Sequence, residues 1–422
     1  VSAKGQLKII KAYVAIVIWA LLLTPSVPTL SGLPDIRIDD ILLILAPLIV
    51  FGVQSRIVLD LRILLILLIA LSIEAGIFIG AALGYPASLL DHFVWFRLAK
   101  YIGAVVLGAA LLHAEPNCSK ALDWFIRKTI VPGLVLVLIV TQQYFDVGGL
   151  NSTYVEAVAP TQYETLVGDY PWPRPVGMVG NPNELSFLLG ILSLGSIWVS
   201  LKKEKNRSLW GLTGLIFLAA SGLTLSRSGV FATFGGLALL IGNNILGGSK
   251  RKNTGIVLKR GSILVAGGVL GVILTALALS FYNDTIFNQV TWRFTPKHYG
   301  GFYTRIENWK ENFQLWQESP LFGIGLLKHS DFLKHSADNE WLLLARAGGI
   351  LLVSLVIILI SVGLFSKKNS AETLTFSRSL AFSAALFMVP AAFFYSLIIM
   401  PLSLMLFTIA TPTPWKTLKT SP

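Results

Sequence analysis

Charge is scarce in this sequence. Asp, Glu, Lys and Arg make up 13% of its 422 residues, about half of the roughly 25% usual in soluble domains. That excludes an ordinary soluble enzyme, a disordered scaffold and a nucleic-acid binder of the usual polar kind. Cysteine is scarcer still. Cys118 stands alone, so no internal disulfide can form, and no Cys/His cluster has metal-ligand spacing. No metal and no cofactor is expected. Also missing are a repeat of fixed period, a low-complexity tail and any stretch polar enough for a separate soluble domain.

What the chain does have is apolar length. Hydrophobic residues make up 54% of it, and the mean hydropathy is +0.70. A helix needs roughly 20 mostly apolar residues to cross about 30 Å of hydrocarbon. Such segments fall near 11–27, 40–53, 63–83, 93–112, 126–144, 183–201, 209–225 and 229–246, and then near 262–281, 340–365, 379–395 and 399–412. The expectation is an all-α polytopic membrane protein, one domain over 1–422, with about twelve spans. The stretch 379–412 is too long for one span, and Pro390 and Pro401 mark where it turns. The first segment runs apolar from Ala12 to about Leu23 with no small-residue cleavage site, so it reads as a span rather than a cleaved signal.

The net charge of +12 is informative through its placement. With the N-terminus inside, alternate loops carry Lys4, Lys8 and Lys11, then Arg56 and Arg62, then Lys120, Arg127 and Lys128. The same side collects Lys202, Lys203, Lys205 and Arg207, the cluster 250–260, and Lys367, Lys368, Arg378, Lys416 and Lys419. Roughly two thirds of the cations fall there, as the positive-inside rule expects. A bacterial inner membrane is the expected location, with the long loops 145–182 and 282–338 on the outer, periplasmic face.

Those two loops hold the unusual residues. The first sets Tyr154, Tyr163, Tyr170 and Trp172 among Glu156, Glu164 and Asp169. Aromatic faces stack on sugar C–H groups and carboxylates accept sugar hydroxyls, so a glycan fits; an interfacial aromatic belt is the alternative. The second contains Thr304-Arg305-Ile306-Glu307-Asn308-Trp309, Pro320-Leu321-Phe322-Gly323-Ile324-Gly325, and His335-Ser336-Ala337-Asp338-Asn339-Glu340-Trp341. Residues 305–317 have a helical pattern with Ile306, Trp309, Phe313 and Trp316 on one face. Gly323 and Gly325 allow a tight turn against another backbone.

Outer cations go against the charge rule. Arg227 sits in the short link Ser226-Arg227-Ser228-Gly229, and Arg97 and Lys100 lie in the outer half of the fourth span. Cations at that depth usually face a cavity or a partner. For Arg97 and Lys100 the alternatives are snorkelling to headgroups or ion pairs with Asp91 or Asp39. Arg227, Arg305 and either Arg174 or Arg97 would together make a cationic site suited to a lipid-linked pyrophosphate, since guanidinium groups bind phosphate bidentately. Candidate general bases for an attacking hydroxyl are Asp338, His335, Glu307 and Glu340.

In order, Gly177-x-x-x-Asn181-Pro182-Asn183, Ser226-Arg227-Ser228-Gly229, Arg305 with Trp309, the Pro320–Gly325 run and Asp338-Asn339-Glu340-Trp341-Leu342 followed by Gly348-Gly349 resemble the O-antigen ligase and polymerase superfamily of the Wzy/WaaL type. The resemblance covers about 175–365. It implies a GT-C-like, inverting, metal-independent glycosyltransferase acting on undecaprenyl-pyrophosphate-linked glycan donors and acceptors. Arg227 and Arg305 match the family's pyrophosphate-binding arginines, and Trp309, Tyr163, Tyr170 and Trp172 are the expected glycan contacts. Where the family's ligases have His-Asn, this chain has Asp338-Asn339, which is closer to the polymerases. The Arg-x(10)-Gly spacing of some polymerases is not met, since Trp316 follows Arg305 at that distance. A polysaccharide polymerase is the leading expectation, with a flippase and a chain-length regulator as partners. The alternatives are a ligase, or protein O-oligosaccharyltransferase, of the same superfamily and a lipid-linked oligosaccharide transporter. A transporter would carry ionisable residues through the midplane of several spans, whereas here they gather at the outer ends.

Overall fold

The computed structural model describes residues 3–25, 36–55, 58–155, 166, 173–202, 206–247, 300–327, 339–362, 371–389, 399–412 and 414–417. These residues form a helical bundle. Its helices are α1 (Ala3–Leu23), α2 (Ile38–Gln54), α3 (Leu61–Ala82), the short α4 (Leu89–His92), α5 (Val94–Ala114) and α6 (Cys118–Phe145). They continue as α7 (Pro182–Leu201), α8 (Arg207–Leu223), α9 (Arg227–Gly247), α10 (Gly300–Glu318), α11 (Glu340–Ser361), α12 (Ala371–Phe387) and α13 (Ile399–Ala410). One antiparallel pair, β1 (Val58–Asp60) with β2 (Pro414–Thr417), ties the start of α3 to the C-terminal segment.

Six of these helices are long and apolar enough to cross a membrane: Gly5–Leu23 within α1, then α3, α5, α6, α7 and α11. The protein is a helical membrane protein. Spans expected near 126–144 and 379–395 begin about two turns earlier, at Cys118 and Ala371. Asn117 caps the first of these by accepting the Lys120 N–H at 3.0 Å, so polar side chains start a helix ahead of its apolar run. The span expected near 262–281 lies outside the described residues.

Helix α7 is the hub. Its apolar window is 94% buried, and it packs on α6, α8, α9, α12 and α13. The stacked rings of Phe187 and Phe387, 4.4 Å apart, join it to α12. Glycines and serines let neighbours close in. A Cβ on Gly190 would stand 1.9 Å from Thr233 Oγ1, and one on Gly229 would stand 2.4 Å from Ser186 Cβ. Small residues at crossings are how helices pack where apolar burial gives no net drive. A second group, α1, α2, α3, α5 and α11, packs beside it, with α13 lying along α5.

Candidate functional site

One end of the bundle gathers the polar sequence. It holds the end of α1, the starts of α2, α5, α7, α9 and α11, and α10. The lead-in to α7 is built first. Gly177 and Gly180 take φ of +57° and +84°, and Gln143 Oε1 accepts the N–H groups of Val176 and Gly177 at 3.0 and 2.8 Å. Asn181 then caps α7, accepting from Asn183 N at 2.8 Å, and Pro182 occupies the first turn, where its missing N–H costs nothing.

This capped turn meets the second motif. Ser226 Oγ donates to Asn183 Oδ1 at 2.8 Å and accepts the Gly229 N–H at 3.3 Å, so one hydroxyl both caps α9 and ties it to α7. Gly229 has to be glycine because Ser186 fills the space of its Cβ. Arg227, the first residue of α9, is exposed at this corner.

The third and fourth motifs meet as well. Helix α11 is broken at Gly348 and Gly349, the latter at φ +67°. The break takes backbone groups out of the helical ladder, and the Pro320–Leu326 strap pairs with them. Ile324 N donates to Arg346 O at 2.7 Å and Gly325 N to Ala347 O at 3.2 Å, while Ile350 N donates to Pro320 O at 2.9 Å. Irregular backbone in a spanning helix is tolerated only where such partners exist. On its other side the strap lies against α3, where a Cβ on Gly80 would stand 2.1 Å from Ile324 O. Gly323 and Gly325, at φ +71° and +91°, make the close backbone approach expected of them.

The strap leads back to α10, which carries Arg305, Glu307 and Trp309. The helix stands where its pattern puts it, and its most buried residues lie off the aromatic stripe. Phe313 is 43% exposed, whereas Asn308 and Asn312 are buried. The reason is across the interface. Arg346 of α11, 4% exposed, donates to Asn312 Oδ1 at 2.6 Å and to Leu326 O at 2.7 Å, so α10 has to turn amides rather than rings toward it. Arg305 and Trp309 are half-buried and Glu307 is exposed.

A fourth cluster borders the α7 lead-in. Lys100 Nζ lies 2.6 Å from Asp39 and 2.5 Å from Asp40, so the ion-pair reading of Lys100 is the one observed. Arg37 donates to Asp39 at 2.8 Å, to Met178 O at 2.8 Å and to Leu21 O at 3.1 Å. Two cations and two carboxylates, all but fully buried, balance one another and join α1, α2, α5 and the 177–180 turn. On α3, Glu74 accepts from His92 Nδ1 at 3.0 Å and from Trp95 Nε1 at 2.6 Å. Arg97 is half-buried nearby on α5, and Arg174 is buried ahead of the α7 turn, its N–H bonded to Leu166 O at 3.1 Å.

Asp338, His335, Tyr163, Tyr170 and Trp172 lie outside the described residues. Asn339, next to Asp338, caps α11 by accepting from Leu342 N at 3.2 Å, and Glu340 behind it is buried. The residues that sequence reasoning passed over are Arg37 and Arg346. Arg346 had a signal, a lone cation inside the apolar run Trp341–Leu355. Arg37 had a weaker one, as its partners lie up to 141 positions away.

Chemically, this end offers arginines, amides, aromatic rings and carboxylates at the bundle's rim. Among the described residues no group of three or more His, Cys, Asp or Glu is placed to hold a metal ion. No family model matches the chain, and no curated protein matches it.

Proposed function

We propose that the protein is a polysaccharide polymerase with a GT-C-like arrangement of about twelve spans, its polar end facing the periplasm of a bacterial inner membrane. It transfers a growing glycan from undecaprenyl pyrophosphate to a lipid-linked repeat unit. The acceptor hydroxyl oxygen attacks the anomeric carbon and gives its proton to a carboxylate base. The bond to the pyrophosphate oxygen breaks, and undecaprenyl pyrophosphate leaves with inversion at that carbon. Such a leaving group needs charge stabilisation more than a strong acid, and fixed guanidinium groups supply it.

The observation that carries this reading is the hydrogen bond from Ser226 to Asn183. Two motifs 43 positions apart in the chain build one corner, and that corner presents an exposed arginine, Arg227. A site for a lipid-linked phosphate needs a permanent cation held at the rim by a rigid frame, and this corner has that form. Asp338 is the proposed base, and Arg305 on α10 the second pyrophosphate ligand.

The test is chain length in a strain depending on this protein. Asp338→Asn is nearly isosteric but cannot take up the hydroxyl proton. It should abolish long chains at normal membrane abundance, while His335→Ala should do less. Normal polymer from Asp338→Asn with none from His335→Ala would move the base to the histidine. Normal polymer from both, and from Arg227→Ala, would end the reading.

A further inference from the structure

Arg346 has a part in this site that its position inside a spanning helix conceals. Its guanidinium sits six residues into α11, almost fully buried, where a cation is retained only for a reason. Its two hydrogen-bond partners named above are neutral oxygens on two different segments: Asn312 Oδ1 on α10, at 2.6 Å, and Leu326 O on the strap, at 2.7 Å. Asn312 is in turn fixed, its Nδ2 donating to Asn308 O at 2.7 Å. Arg305, Asn308 and Asn312 recur every three to four residues and so share one stripe of α10. Arg346 grips the far end of that stripe, about 10 Å along the axis from Arg305 at 1.5 Å per residue.

The backbone of the same arginine is also engaged. Its carbonyl accepts from Ile324 N at 2.7 Å, immediately before the break at Gly348 and Gly349. One residue therefore bonds α10 through its side chain, the strap through side chain and main chain together, and belongs to the helix that begins at Glu340. A lysine would not reproduce this geometry, because the guanidinium makes the two bonds from separate nitrogens held in one plane, Nη1 to Asn312 and Nη2 to Leu326, whereas an ammonium would have to reach both acceptors from one shorter-reaching atom.

We infer that Arg346 is a positioning residue for glycan transfer. It sets the height and rotation of α10 against the broken helix α11, and so fixes where Arg305 stands relative to the start of that helix at Glu340. This rests on the transferase reading above, and the experiment separates the two. Arg346→Gln, Arg346→Lys, Asn312→Asp and Asn312→Leu would be purified in nanodiscs. Each would be followed by amide hydrogen exchange and by transfer kinetics on an undecaprenyl-pyrophosphate-linked repeat unit.

Arg346→Gln and Asn312→Leu should speed exchange across 305–318 while leaving α7 and α9 as in the unaltered protein. They should lower kcat about tenfold or more with donor KM within about twofold, the split expected when only transition-state placement is lost. Asn312→Asp keeps an acceptor for the guanidinium and should keep both exchange and kcat near normal. Arg346→Lys should resemble Arg346→Gln, and combining Arg346→Gln with Asn312→Leu should cost no more than either alone. Unchanged exchange over 305–318 in Arg346→Gln would overturn the inference, as would faster exchange through the whole bundle, which marks a purely structural role. An unaltered protein that transfers nothing would overturn the transferase reading, while the exchange result still decides whether Arg346 docks α10.

Discussion

Arg62 and Arg227 are the same residue type at the starts of two helices at opposite ends of the bundle, and their surroundings differ completely. Arg62 is 0% exposed. Its Nη1 lies 3.1 Å from Asp60, and its Nη2 reaches the carbonyls of Val362 at 3.0 Å and Thr411 at 2.9 Å, past the ends of α11 and α13. A cation among helix C-terminal carbonyls meets the negative end of two helix dipoles. This guanidinium is committed to the fold, holding α3, α11 and α13 together. Arg227 is exposed, and the surrounding polar groups are arranged differently: Ser226 and Asn183 fix the backbone of its corner and leave its side chain at the rim. An arginine built into helix ends serves stability; for the exposed Arg227, on a corner whose backbone is fixed, we propose a ligand.

The largest effect should come from breaking the committed side. Arg62→Ala leaves Asp60 buried without its cation, a change that costs about 3–5 kcal/mol in comparable buried pairs. Membrane abundance and the thermal midpoint of purified protein should both fall sharply. Unchanged midpoints would show that the C-terminal carbonyls find other partners and that the contrast with Arg227 is false.

A middle-sized effect should come from the glycines that let the strap through. At Gly349 and at Gly80 an added Cβ would stand 2.1 Å from the carbonyl oxygens of Leu321 and Ile324, and both obstacles are backbone. Gly349→Ala and Gly80→Ala should each destabilise by about 1–3 kcal/mol, the usual cost of overpacking. Gly222→Ala and Gly52→Ala, with nothing within 4 Å of the new Cβ, should be neutral or slightly stabilising in thermal unfolding. If all four behave alike, the close passage of strap, α3 and α11 is wrong.

The smallest effect concerns the outer edge of the strap. The Tyr85 phenol donates to Glu318 Oε1 at 2.7 Å. Partial burial, then that hydrogen bond and the Glu318 charge, push it up to about 12 from the usual 10. A phenol whose folded value is raised contributes stability below pH about 10 and loses it as pH climbs toward 12. At this exposed position Tyr85→Phe should cost under about 0.5 kcal/mol at pH 7. The difference between the two proteins should vanish by pH 12, read by urea unfolding at each pH.

Much of the bundle was legible because apolar length is a local property. The run 183–201 reads as a span without its neighbours, and it is α7 within one residue. Two turns were legible for the same reason, since Asn181-Pro182 and Gly323 with Gly325 carry their backbone preferences themselves. What stayed hidden is long-range. The pair of Lys100 with Asp39 was among the sequence's alternatives, but nothing local says that Asp40, 60 positions from Lys100, and Arg37 complete the cluster. Nor does the pattern of α10 show that its amides rather than its rings face inward, because that depends on Arg346, 34 positions beyond Asn312. Periodicity finds the apolar stripe of a helix, and it fails where the buried partner is a charge.

The most direct test of the contrast is transfer by purified protein in nanodiscs, with a defined undecaprenyl-pyrophosphate-linked repeat unit and EDTA present, comparing Arg227→Ala with the unaltered protein at equal folded concentration. The account predicts a ladder of glycan products from the unaltered protein, at least about tenfold less transfer from Arg227→Ala, or roughly 1.4 kcal/mol of barrier, and identical thermal midpoints for the two. Equal transfer by both, or a midpoint that falls in Arg227→Ala as far as in Arg62→Ala, would contradict it.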